Sequence, residues 1–325
     1  MSQINVDIIE PQSGNIVTVN GVPIDAPTST PPGAQGGNLA IGTDAMSSIV
    51  SGTANMAIGE GSLKNYNSAN NFLGFNTAIG VRSMEDTTDG VYNIAIGFEA
   101  MRKNIGGQSN IAIGNQCLGA LTFPSAPAIG NDANIAIGHE SLNKITTASG
   151  NIAIGTNAGA SMLTGIQNCF FGPDAAISMT TGNNNICIGF QAQPATITTN
   201  NSITLGNSSH NVLRCQVTSI TSLSDARDKK EIEELPVGLD FVKGLKPVSF
   251  VWNDRDNEDK RDIKDFGFIA QDLKKSQEDA ELAETLKLVY EENPEKLEAS
   301  YGKLIPILVK AIQELTAKVE ALEAE

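Results

Sequence analysis

The sequence predicts a mainly β fold: a parallel β-solenoid (β-roll) of about ten 17-residue coils, then an α+β C-terminal domain ending in a coiled-coil helix. Three observations carry this expectation. A pentad of the form Asn-Ile-Ala-Ile-Gly recurs ten times at a nearly fixed interval. Residues 1–223 hold 12 acidic and 6 basic residues, whereas the much shorter 224–325 holds 25 and 16. The last turns of the chain space their apolar residues by three and four.

Taken in order, Ile4–Ile24 reads as two short strands around Ser13-Gly14 and Asn20-Gly21 turns. The Pro/Gly-rich Ala26–Gly37 reads as a linker, so that residues 1–37 form a terminal segment. The repeats follow, in a shaft spanning 38–215. The clearest copies are residues 93–97, 110–114, 134–138 and 151–155, and the closing glycines stand at 42, 59, 80, 97, 114, 138, 155, 172, 189 and 206. Seven of the nine intervals are 17 residues and the other two are 21 and 24.

Such a period with an alternating apolar pentad is a solenoid signature. Each coil lends one short strand to a sheet whose strands lie about 4.8 Å apart, giving a shaft on the order of 45–50 Å long. Within a pentad the two Ile positions point one way and the central Ala the other. The Ala face suits close packing of one chain against another. The closing Gly permits a corner at positive φ, and the leading Asn is expected to stack in a ladder that satisfies backbone groups at the opposite corner. The longer intervals are insertions, within Glu60–Asn76 and Cys117–Asp132, and insertions in a solenoid emerge as surface loops that carry recognition.

Composition narrows the function. Across 325 residues, aromatics make up only 5% and Gly numbers 31, which suits stacked coils of small and β-branched residues. A net charge of −15 argues against nucleic acid and against an anionic membrane as partners. Cys117, Cys169, Cys187 and Cys215 lack metal-ligand spacing and read as buried free thiols, so no metal or cofactor is expected. No stretch of about 18 apolar residues predicts membrane insertion, and the N-terminus has no signal-peptide pattern, so folding in a cytoplasm is expected.

The repeats resemble the heads of trimeric autotransporter adhesins of the YadA type, left-handed parallel β-rolls packed three around an axis. Their period is usually shorter than 17, so the resemblance concerns architecture.

The domain over 216–325 carries a second resemblance. Ser224-Asp225-Ala226-Arg227-Asp228-Lys229, then Gly238-Leu239-Asp240, Leu245-Lys246-Pro247-Val248-Ser249-Phe250, Gly267-Phe268-Ile269-Ala270-Gln271-Asp272-Leu273 and Tyr301 through Leu322 resemble, in order, the intramolecular chaperone domain of the peptidase S74 family. That family closes the tail fibres, tail spikes and neck appendages of phages. The resemblance implies a homotrimer whose C-terminal domain drives folding of the shaft. It also implies Ser224 and Lys229 as the catalytic pair of a self-cleavage at Leu223–Ser224, with no external substrate. A neutral Lys229 amine, favoured by burial or by the nearby Arg227 charge, would take the Ser224 proton. Five residues is not a same-face helical spacing, so the pair must meet through a turn or across subunits. Asp265 stands where many members have His, a departure that bears on cleavage and not on the chaperone.

The final helix agrees with a trimer. Ile305, Leu308, Ile312, Leu315, Val319 and Leu322 form an a/d seam flanked by Lys310, Glu314, Lys318 and Glu320. The function implied is a viral (phage) tail or appendage fibre, assembled in the host cytoplasm and carried in the virion. It would attach through its N-terminus to other tail, baseplate or capsid proteins and bind a host cell-surface receptor, a glycan or a surface protein. Two alternatives are a tailspike-type polysaccharide depolymerase, for which the acids Glu85, Asp86 and Asp89 are the only cluster in the shaft, and a bacterial trimeric surface adhesin.

Overall fold

A computed structural model describes residues 16–19, 22–25, 37–49, 52–67, 73–119, 133–210, 212–214, 216, 221–222, 224–253 and 264–324. The chain divides into two compact units, Met1–Asn207 and Ser208–Glu325.

The first unit opens with an antiparallel pair, β1 (Ile16–Val19) and β2 (Val22–Asp25), in which Val19 faces Val22. The expected Ser13-Gly14 turn, the Asn20-Gly21 turn and most of the linker lie outside the described residues. Ten three-residue strands then follow, one in each pentad, from β3 (Leu39–Ile41) to β12 (Ile203–Leu205). They form one parallel sheet in strict sequence order, making the predicted β-solenoid of about nine turns. Register survives both insertions: Met56 pairs with Thr77 across the 21-residue interval and Ile111 with Ile135 across the 24-residue one.

Two columns hold the coils together. In the first, each pentad Asn bonds the next. The Oδ1 of Asn151 accepts from the backbone N–H and the Nδ2 of Asn168, both at 3.0 Å. Its own Nδ2 donates to Asn134 Oδ1 and to the Gly165 carbonyl at 2.8 Å. The ladder runs from Asn38 to Ser202, which replaces Asn at its end. Because nearly every rung is buried with its bonds made, the ladder satisfies polar groups that would otherwise cost on the order of 1–3 kcal/mol each. In the second column the closing glycines take positive φ, +137° at Gly155. A Cβ there would stand 2.5 Å from the Gly172 carbonyl, so both the dihedral and the space require glycine.

The Ala column faces inward, which corrects the expectation that it packs chain against chain. Ala57, Ala78, Ala95, Ala112, Ala136 and Ala153 are fully buried inside their own coils. A 17-residue coil is narrow, and the column that begins at Met46, Leu63 and Met84 fills its interior from the corner. Where Phe170 takes the inner place of Ala, Gly159 stands in that corner column; a Cβ on Gly159 would come within 2.8 Å of the Phe170 ring. The Ile columns therefore face outward, and Ile94, Ile96, Ile113, Ile188 and Ile203 are exposed.

The second unit contains helix α1 (Leu239–Gly244), the antiparallel pair β13 (Pro247–Val251) and β14 (Lys264–Phe268), and helices α2 (Ala270–Asp279) and α3 (Ala283–Leu286). A two-residue pair follows, β15 (Val289–Tyr290) with β16 (Glu298–Ala299), and then the 20-residue helix α4 (Leu304–Glu323). Its core gathers Val237, Leu286, Leu288, Leu304 and Ile307. The buried Gln277 of α2 joins it by accepting from the Leu288 N–H at 2.8 Å.

Candidate functional site

Ser224 and Lys229 flank a single 3-10 turn, Ala226–Asp228. Asp225 caps it, accepting from the Arg227 backbone N–H at 2.9 Å. The Arg227 guanidinium also donates to that carboxylate, with Nε to Oδ1 at 3.0 Å, and holds the Asp225 carboxyl below its ordinary value. The turn folds the chain back so that Lys229 Nζ stands 2.6 Å from Ser224 Oγ and 3.3 Å from the Ser224 carbonyl oxygen. The five-residue gap is thus closed by a turn within one chain.

This is hydrogen-bond reach for a nucleophile and its base. Both side chains are exposed, however, and Arg227 is paired with Asp225. The burial and free positive charge expected to favour a neutral amine are therefore not supplied by one chain alone. Leu223, whose carbonyl the serine would attack, lies outside the described residues. Asp265, noted above as a departure from the His of many family members, lies on β14 and accepts from Trp252 Nε1 at 3.2 Å and from the Phe266 N–H at 2.8 Å.

Helix α4 presents two apolar faces. Leu304, Ile307 and Ala311 are buried against their own unit. The a/d seam is a different set: Ile305 and Ile312 are each 63% exposed, and Leu308, Leu315, Val319 and Leu322 are exposed as well. The helix is fastened by residues beside that seam. Glu314 Oε2 accepts from the Leu239 N–H at 2.8 Å, capping α1 from 75 residues away, and Lys310 Nζ lies 3.2 Å from Glu234. Gly238 leaves room for the carboxylate, since a Cβ there would meet it at 2.5 Å. Reading the sequence missed this contact; the glycine before Leu239 was its only trace.

The acidic cluster in the shaft is held by arginines. Glu85 lies 2.8 Å from Arg82 and 3.0 Å from Arg102, and Glu99 bridges the same two at 2.8 and 3.3 Å. Paired glycosidase carboxylates need a free base or nucleophile beside a carboxylic acid, and Glu85 is ion-paired on both sides. The described thiols are free and two are inert: burial pushes Cys117 up to about 12 and Cys187 up to about 11. Cys169 is half-buried, and Cys215 lies outside the described residues. Among the described residues no helix is long and apolar enough to cross a membrane.

Residues 224–282 match the peptidase S74 family, described as chaperone of endosialidase. The chain carries an S74 chaperone domain. The match begins on Ser224, takes in Lys229, the β13–β14 pair and α2, and stops before α4 and its seam. No curated protein and no solved structure matches the chain. The S74 domain and the β-solenoid ahead of it together fit a tail-fibre-like protein with an intramolecular chaperone.

Proposed function

We propose that the protein is a homotrimeric tail or appendage fibre of a phage, in which the S74 domain and α4 associate first and the shaft folds from that start. The observation that carries this reading is the unpartnered seam of α4. An apolar a/d stripe exposed on a helix already packed through its other face calls for further helices of the same kind. The outward Ile face of the shaft likewise leaves apolar surface for another copy of the chain to cover. Parallel coils pair residues far apart in sequence and leave sheet edges open while they form, so an early C-terminal trimer shortens that vulnerable interval.

Self-cleavage at Leu223–Ser224 completes the proposal. Lys229, desolvated on trimer formation, takes the Ser224 hydroxyl proton, and Oγ bonds to the Leu223 carbonyl carbon. The Leu223–Ser224 C–N bond breaks as the Ser224 nitrogen receives a proton from Lys229, leaving an ester between Leu223 and Ser224 Oγ. Water then hydrolyses that ester. Removing the nucleus leaves the shaft kinetically trapped. The N-terminal segment docks on tail, baseplate or capsid proteins, and the shaft meets a host receptor.

Denaturing electrophoresis with mass spectrometry tests cleavage on the wild type and Ser224→Ala. The expected result is a wild type split into 1–223 and 224–325 beside an intact variant. An intact wild type would remove the self-cleavage and leave the chaperone.

A further inference from the structure

We propose that Phe75 and Tyr92 form a binding platform for a neutral glycan, which gives the receptor reading above, on which this rests, a site and a chemical class. The two rings stack with centroids 5.3 Å apart and planes within 9°, yet Phe75 is 43% and Tyr92 56% exposed. Each immediately precedes a ladder Asn, in a column whose backbone is left-handed: φ is +48° at Phe75 and +60° at Tyr92. Other coils fill this column with small residues or amides, Ala54, Ser109, Gly150, Asn184 and Asn201 among them. Asn and Gly are the types that tolerate such dihedrals, whereas a large ring there is strained. Strain kept at an exposed position, where the rings cover no core, points to function.

The surroundings select the ligand. The coil that carries Phe75 is the 21-residue one. Ala54 and Ser109, next in the column on either side, are too small to cover the outer ring faces. Aromatic faces take the C–H faces of pyranose rings. No residue from Asn65 to Val81 or from Gly90 to Phe98 is charged. A sialylated or sulfated glycan would find no cation there, on a chain of net charge −15, so the chemistry favours an uncharged saccharide.

Phe75→Asn and Tyr92→Asn test the site, because Asn already occupies this column at Asn184 and Asn201 and relieves the strain. The probes are arrayed neutral hexose and N-acetylhexosamine oligosaccharides, with sialylated and sulfated ones beside them. The wild type should bind a neutral member, and each variant should bind it about tenfold more weakly while keeping its thermal midpoint and sedimentation. Unchanged binding by both variants would overturn the platform while leaving the receptor reading intact. So would a wild type that binds host cells but no neutral glycan; binding to neither would remove both readings. Loss of the oligomer in the variants would instead assign the pair to a contact between copies of the chain.

Discussion

Asn93 and Glu314 each satisfy a backbone N–H, but they reach it by different routes. Asn93 bonds the N–H of Asn110, 17 residues on, and the same bond recurs up the shaft with each new coil. Glu314 bonds the N–H of Leu239, 75 residues back, in a contact that occurs once. A repeating structure of the first kind is stable as a stack, yet a single coil has nothing to stack on, so starting is its difficulty. The second kind builds a core from its own segments, Val237 through Ile307, and still leaves the seam of α4 open. The unit with a core of its own thus also carries the exposed seam, which is the division of labour that the proposed function requires of a shaft and its chaperone.

The largest effect that bears on this contrast is expected in the ladder. Asn151→Leu removes a buried side chain that bonds two neighbouring rungs and the Gly165 carbonyl, at a cost of about 4 kcal/mol. Denaturant titration of the shaft should show it as a lower midpoint. Glu314→Ala should cost less, about 1–2 kcal/mol, because water can reach the half-buried Leu239 N–H it uncovers. Its signature is earlier melting of the helical signal with the shaft transition unmoved. If Glu314→Ala destabilised the shaft as much as Asn151→Leu, the two regions would not be energetically separable, and the comparison would fail.

The sequence revealed these regions unequally. Ten pentads in register located every strand from β3 to β12, and the Asn and Gly columns do what their residue types allow. Alternation alone shows that a strand has two faces without telling which is inside, and here the narrow coil turned the small Ala inward and the Ile pair outward. The recurrent left-handed residues, such as Met84 and Met101, left no trace because they are not glycines. Ser224 and Lys229 stood out only through the family resemblance, and their spacing left a turn or a meeting across subunits open, of which the structure shows the turn. The grip of Glu314 on Leu239 was not, because no periodicity links positions so far apart. Phe75 and Tyr92 were not singled out in the sequence, because their stacking and their strain show only in the fold.

The central claim is that the seam of α4 assembles three chains and that the shaft depends on it. Native mass spectrometry of the wild type beside Ile312→Lys/Leu315→Lys, with circular dichroism of both, tests it most directly. The account predicts a wild-type trimer, at three times 34.2 kDa if intact or as trimeric 1–223 if cleaved, and a variant that stays monomeric with its shaft unfolded or aggregated. A monomeric wild type, or a seam variant whose shaft folds and assembles in wild-type yield, would contradict it.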